Sequence, residues 1–154
     1  FNILDENKQI LKTITGQSFI YSEEIKYVEE FIDSSELENK TKFLNFEIKN
    51  SVIVKSNEFK KPNVKLLDQS TEVQNNTLKL SGRIINNDFI TFKNVKILAN
   101  FYNEYGLWVG SSQTIIDNIA PQEIKDFKIN FINENLNELY SEIIIEIKRQ
   151  WKNF

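Results

Sequence analysis

Residues from the two halves of the chain match at a fixed spacing. Ile20 aligns with Ile119, Glu24-Ile25-Lys26 with Glu123-Ile124-Lys125, Leu37 with Leu136 and Glu47-Ile48-Lys49 with Glu146-Ile147-Lys148, every pair 99 positions apart. Apolar positions follow without identity: Val28 with Phe127, Ile32 with Phe131, Leu44 with Ile143, Phe46 with Ile145. Nearer the start the spacing is 98, so that Ile3-Leu4-Asp5-Glu6 faces Phe101-Tyr102-Asn103-Glu104 and Ile10-Leu11 faces Trp108-Val109. A one-residue indel in a surface loop accounts for that slip. Matches in order over five segments imply duplication, and a duplicated chain folds as two like modules. The second copy begins near Pro62, and the same spacing carried back starts the first copy before Phe1. Residues 1–57 are therefore expected to be the rear part of one module, without its opening strands, and residues 58–154 a linker strand plus a complete second module. The opening at Phe1 and the lack of Met read as a piece of a longer protein, with any signal or lipid anchor upstream.

Within the second copy the dominant period is two. Leu78-Leu80-Gly82-Ile84 alternates with Lys79, Ser81 and Arg83, as a half-buried strand does. Val64–Leu67 reads as a short strand, and Asn86-Asn87-Asp88 as a turn. Val95-Ile97-Ala99-Phe101 faces one way, with Lys96, Leu98, Asn100 and Tyr102 facing the other. Asn103-Glu104-Tyr105-Gly106 suits a type I turn with a bulge, returning along 107–116. Pro121 interrupts; Ile124, Phe127, Ile129 and Phe131 lead a further strand, and Ile143-Ile145-Ile147 the last. Residues 133–139 have room for one helical turn. A helix over 23–39, with Ile25, Val28, Ile32 and Glu36 on one face, is the rival reading there, but its counterpart after Pro121 alternates as a strand. Short strands with regular turns predict an all-β fold of antiparallel, immunoglobulin-like β-sandwich modules in tandem.

Composition narrows the function classes. An apolar share of 40%, with 12 Phe, is enough for a packed core and too apolar for disorder. The net charge of −3 gives no field for nucleic acid. With no Cys there is no disulfide, thiolate nucleophile or Cys-ligated metal, and with no His the commonest general base and transition-metal ligand are gone. No apolar run approaches the ~20 residues that span a bilayer.

The segment "SGRIINND … NVKILANFYNEYGLWVGSSQTIIDNIAPQEIKDFKINF" resembles the FxLYD domain of bacterial and archaeal extracytoplasmic proteins. Gly82-Arg83-Ile84-Ile85-Asn86 approximates that family's Gly-x-hydrophobic-x-Asn strand. Ala99-Asn100-Phe101-Tyr102-Asn103 sits at the naming motif, with Ala for its Phe and Asn for its Asp, and Gly106 holds the turn. Pro121-Gln122-Glu123 stands at the Pro-Gly-Glu step, and Phe1-Asn2-Ile3-Leu4-Asp5 matches the motif with Leu for Tyr. The resemblance covers most of 77–150 and, more faintly, 1–50. It implies a sandwich in a membrane-attached, lipoprotein or secreted protein of the cell envelope. A looser similarity is to the LEA14-type sandwich.

Candidate sites are few. Asp5-Glu6-Asn7 and Asn103-Glu104 carry hard-cation oxygens, but an Asx-initiated turn is the plainer reading. The acidic run Glu23, Glu24, Glu29, Glu30, Asp33, Glu36, Glu38 reads as a solvated face. Lys55, Lys60, Lys61 and Lys65 around Pro62 read as a stiff charged linker, and Trp151 with Lys148, Arg149 and Lys152 as a last strand with a charged rim. Tyr102, Tyr105 and Trp108 are the one place where aromatics gather into an interaction surface, against the default that such residues pack in the core. No Ser has a base to pair with, and nothing brings two carboxylates into a cleft. The expectation is a non-enzymatic extracytoplasmic structural or protein-interaction module without catalytic residues, cofactor or metal. Its partner would be a protein or cell-envelope component, or a second copy through an open sheet edge, with no nucleic acid. The alternatives are a small-ligand or lipid-binding sandwich holding its ligand between the sheets, or an accessory domain of a larger cell-envelope enzyme.

Overall fold

The computed structural model describes residues 1–21, 24, 43–49, 51, 60–133, 136 and 139–147. Every regular element among them is a strand, and the chain divides into two compact units, Phe1–Lys61 and Pro62–Phe154. The helix weighed over 23–39, the helical turn within 133–139 and the final strand with Trp151 lie largely or wholly outside the described residues. Among the described residues no helix is long and apolar enough to cross a membrane.

The first unit holds β1 (Asn2–Leu4), β2 (Ile10–Thr13) and β3 (Phe43–Asn45), antiparallel in the order β2-β1-β3. The second unit holds β4 (Val64–Gln74), β5 (Thr77–Asn86), β6 (Phe92–Tyr102), β7 (Trp108–Ile119), β8 (Ile124–Ile132) and β9 (Tyr140–Glu146). These form two antiparallel sheets, β4-β5-β8 and β7-β6-β9. Alternation then decides the packing: Leu78, Leu80 and Ile84 of β5 and Phe127, Ile129 and Phe131 of β8 share one buried cluster with Val95, Ile97, Ala99 and Phe101 of β6. The second unit is thus a β-sandwich with a single core. Phe101 and Phe131 stack between the sheets, ring centroids 4.3 Å apart. The space is full: a Cβ at Gly82 would lie 2.6 Å from the Phe127 ring, and one at Gly110 2.9 Å from Phe131.

Two strands differ from the sequence reading. The strand expected over Val64–Leu67 runs on to Gln74 and pairs with β5 through a two-residue turn. Asn75 and Asn76 both have positive φ (49° and 59°), as such a tight turn requires, and Asn tolerates that conformation. Asp68–Glu72 is polar throughout because β4 is an edge strand exposed along nearly its whole length, so no alternation marks it. On β6, Leu98 and Asn100 alternate outward as expected yet are buried as well.

The positions matched in sequence have a geometric counterpart. In β1–β2, Asp5 N donates to Gln9 O (3.0 Å), Lys8 N to Asp5 O (3.1 Å), and Asp5 Oδ1 accepts from Asn7 N and Gln9 N (2.8 Å each). In β6–β7, Asn103 N donates to Leu107 O (3.0 Å), Gly106 N to Asn103 O (2.9 Å), and Asn103 Oδ1 accepts from Tyr105 N and Leu107 N (3.0 Å each). Lys8 and Gly106, the matching positions, both have positive φ (63° and 75°). Each ladder also bulges at the same step, between Ile3 and Leu4 and between Phe101 and Tyr102. The third strand differs: Ile3 pairs with Leu44 but Phe101 with Ser141, a spacing of 97 where the sequence matches give 99. A two-residue slide keeps each side chain on its face, and it leaves the Phe46 ring against Phe1 (5.3 Å).

Candidate functional site

The two outer faces of the sandwich differ in chemistry. On the β5 sheet, Asp68, Arg83 and Asp126 form one cross-strand row, Ser70, Ser81 and Lys128 the next, then Glu72, Lys79 and Asn130. Arg83 Nε lies 2.9 Å from Asp68 Oδ2. The six residues of the last two rows line a shallow open depression of about 260 Å³. Its mixed charges on exposed strands make a solvated face.

The β6 sheet presents aromatics at the end that carries the 103–107 turn. Tyr102 is the cross-strand neighbour of Trp108 on β7 and of Tyr140 on β9, so the three stand in one row across the sheet. Phe101 points into the core, which sets Tyr102 and its row outward. Tyr102 and Tyr140 stack at 5.2 Å, and Tyr102 Oη donates to Glu142 Oε2 (3.0 Å). Trp108 is 61% exposed, and Leu107 and Tyr105 on the turn are 63% and 77% exposed. The turn is fixed rather than loose, because Asn103 closes it with its side chain and both backbone groups. The structure therefore brings Tyr102 and Trp108 together and holds Tyr105 at the tip beside them. Core packing, the default for such residues, does not apply to Tyr105 or Trp108.

Tyr140 completes the row and Glu142 stands beside it on the same face, opposite Asn100; neither was singled out by sequence. The one signal was parity: Tyr140, Glu142, Ile144 and Glu146 share the face opposite Ile143 and Ile145. That β9 lies beside β6 is a long-range pairing that no local pattern encodes. In the first unit the matching row is Ile10, Leu4 and Phe43, with one aromatic ring where the second has three.

The other candidates resolve locally. The Asp5 and Asn103 side chains are occupied by turn amides, and among the described residues no three acidic side chains cluster as a metal site would need. Lys61 pairs with Glu24 (2.9 Å), the one described member of the acidic run; Lys55 and the charged residues around Trp151 lie outside the described residues. Edge strand β4 bulges at Leu67 and carries Asp68 and Glu72, features that discourage strand addition. Comparison with protein-family models, curated proteins and solved structures returned no match for this chain.

Proposed function

We propose that the chain is a non-enzymatic, protein-binding β-sandwich module, and that the row Trp108–Tyr102–Tyr140 with Tyr105 and Leu107 is its binding surface. The observation that carries the reading is the contrast between the two outer faces. One is dressed in interleaved charges, while the other keeps large apolar side chains in water on a turn closed by four hydrogen bonds. Trp and Tyr offer large contact area with few rotors, which is why binding hot spots favour them. Fixing the turn in advance lowers the entropy lost on binding. A ligand held between the sheets is disfavoured by the core itself, where Phe101, Phe127 and Phe131 fill the gap. The resemblance to FxLYD domains agrees with this reading at one backbone position: Gln122 has positive φ (61°) where the family pattern carries Gly. On that resemblance the module belongs to an extracytoplasmic, envelope-associated protein.

The test is selection from a phage-displayed library of random twelve-residue peptides on immobilised protein. Enrichment of related sequences that bind the wild type and lose at least tenfold affinity on Trp108→Ala supports the reading. Enriched sequences that bind Trp108→Ala and Tyr105→Ala as well as wild type, or no enrichment, would overturn it.

A further inference from the structure

We propose that this surface takes a basic polypeptide segment, whose Arg or Lys side chains lie against Trp108 and Tyr105 and pair with Glu104 and Glu142. The proposal rests on the reading of the aromatic row as a binding surface and adds the chemistry of what binds there. Charge around the row is one-sided. From Ala99 to Thr114 the only charged residue is Glu104, on the turn beside Tyr105. From Tyr140 to Glu146 the charged residues are Glu142 and Glu146, and Glu146 is already paired with Lys96 (3.6 Å). Glu142 stands on the face of Tyr140 two residues along β9, exposed, with the neutral Tyr102 hydroxyl as its hydrogen-bond donor. Among the described residues, Glu104 and Glu142 form no ion pair. On the opposite sheet, by contrast, bases stand among the acids: Asp68 pairs with Arg83, Asp126 is a cross-strand neighbour of the same Arg83 and Glu72 of Lys79.

Two open carboxylates beside exposed aromatic faces are complementary to cations twice over. The ring quadrupole attracts a cation over its face, and the carboxylate neutralises it at the rim. Arg suits both, because its planar guanidinium stacks on a ring while its N–H groups meet a carboxylate. The spacing fits an extended chain: three neighbouring strands span about 10 Å, and alternate side chains of an extended segment project about 6.7 Å apart on one side. Three alternate basic residues, spanning about 13 Å, therefore cover the row from the turn side to the Glu142 side.

The experiment uses the full chain with Trp151→Phe, so that Trp108 is the only tryptophan emitter. Its fluorescence is titrated with three acetylated twelve-residue peptides: alternating Arg-Ser, Gln-Ser and Glu-Ser. The Arg-Ser peptide should bind at least tenfold more tightly than Gln-Ser, and Glu-Ser should not bind. Glu104→Gln with Glu142→Gln should cost at least tenfold for Arg-Ser and remove most of its weakening between 20 and 500 mM NaCl. Equal binding of Arg-Ser and Gln-Ser, or unchanged Arg-Ser affinity in the double Gln variant or in Tyr105→Ala, overturns the proposal. The two readings fail separately. Library peptides that need Trp108 but show no excess of Arg or Lys sink the basic partner alone, whereas peptides indifferent to Trp108 sink the binding surface itself.

Discussion

Asn86 and Asn100 are both buried on strands of the sandwich, and their side chains stand in opposite states. Asn86 Nδ2 donates to Ile90 O (2.8 Å) and Ile119 O (3.1 Å), and its Oδ1 accepts from Asp88 N (2.9 Å). Its backbone N–H donates to Glu123 O and its carbonyl accepts from Gln122 N, so one residue ties the 87–91 loop to the corner after β7. Asn100, 1% exposed, has no partner for either Nδ2 or Oδ1 among the described residues. In the first unit its counterpart Asn2 accepts from Thr13 Oγ1 (2.8 Å), a bond that Ser111 does not make to Asn100. A buried polar group stabilises only when its hydrogen bonds are made, and an orphan carries the desolvation penalty alone. Asn86→Ala should therefore lower stability by about 2–3 kcal/mol, since it strands the buried Ile119 carbonyl and the half-buried Ile90 carbonyl. Asn100→Val, similar in volume and better suited to a central strand, should raise it by about 1–2 kcal/mol. Urea denaturation of the two variants decides this; a loss of stability in Asn100→Val would show that the amide is satisfied in solution.

At the scale of elements, the turns show what the sequence made legible. The β6–β7 turn was readable from Asn103 and Gly106, and the matched spacing located its twin at Asp5–Gln9, because Asx and Gly encode their conformations locally. The β4–β5 hairpin was not, although Asn75-Asn76 was its signal, since polar β4 does not alternate. The aromatic row was half legible: Tyr102 and Trp108 flank one turn, whereas Tyr140 arrives through a pairing nearly forty residues away. The twin turns make a reciprocal prediction. Lys8 bears the left-handed strain that Gly106 does not, so Lys8→Gly should stabilise its hairpin by up to about 1 kcal/mol and Gly106→Ala should destabilise the other by about as much. Hydrogen exchange of the Gln9 and Leu107 amides reads each hairpin separately, and equal responses to both substitutions would refute the equivalence. The corner after β7 carries the acid response. Ala120 N donates to Glu123 Oε2 (2.7 Å) and Lys125 stands 2.9 Å from Oε1, which together hold this carboxyl below its ordinary 4.5. The Arg83 guanidinium likewise holds Asp68 below 3.8. For carboxyls depressed in the folded state, the stabilisation is present above the ordinary values and is lost as pH falls through the folded ones. The thermal midpoint should thus be level above about pH 5 and fall through pH 4 and below. Glu123→Gln should start lower at neutral pH and lose less on acidification; an unchanged acid limb would remove Glu123 from the explanation.

For the whole molecule, the question is which part can stand by itself. A sandwich needs two sheets with one apolar face each, because either sheet alone leaves that face in water. The unit from Pro62 supplies both: the β5 and β8 side chains of one sheet and the β6 side chains of the other close a single cluster with no gap at Gly82 or Gly110. In the first unit the described strands form one sheet of three short members, in which Phe43, Leu44 and Phe46 are exposed and only Ile3 is a buried hydrophobic. Such a sheet matches the turn-bearing end of the β6 sheet in the register and hydrogen bonding of its hairpin, with the third strand slid by two residues, but it does not match the sheet that faces it. Cooperativity should follow the complete core. Residues 62–154 expressed alone should unfold in one calorimetric transition, with an enthalpy of about 60 kcal/mol near its midpoint and agreement between calorimetric and van't Hoff values. Gly82→Ala in that fragment should weaken or abolish the transition, because the added methyl meets the Phe127 ring and the Asp68 carbonyl, both at 2.6 Å, and the buried ring cannot move without opening the core. A fragment that melts gradually, or a Gly82→Ala variant as stable as its parent, would mean that the cluster between the two sheets is not what holds the unit together.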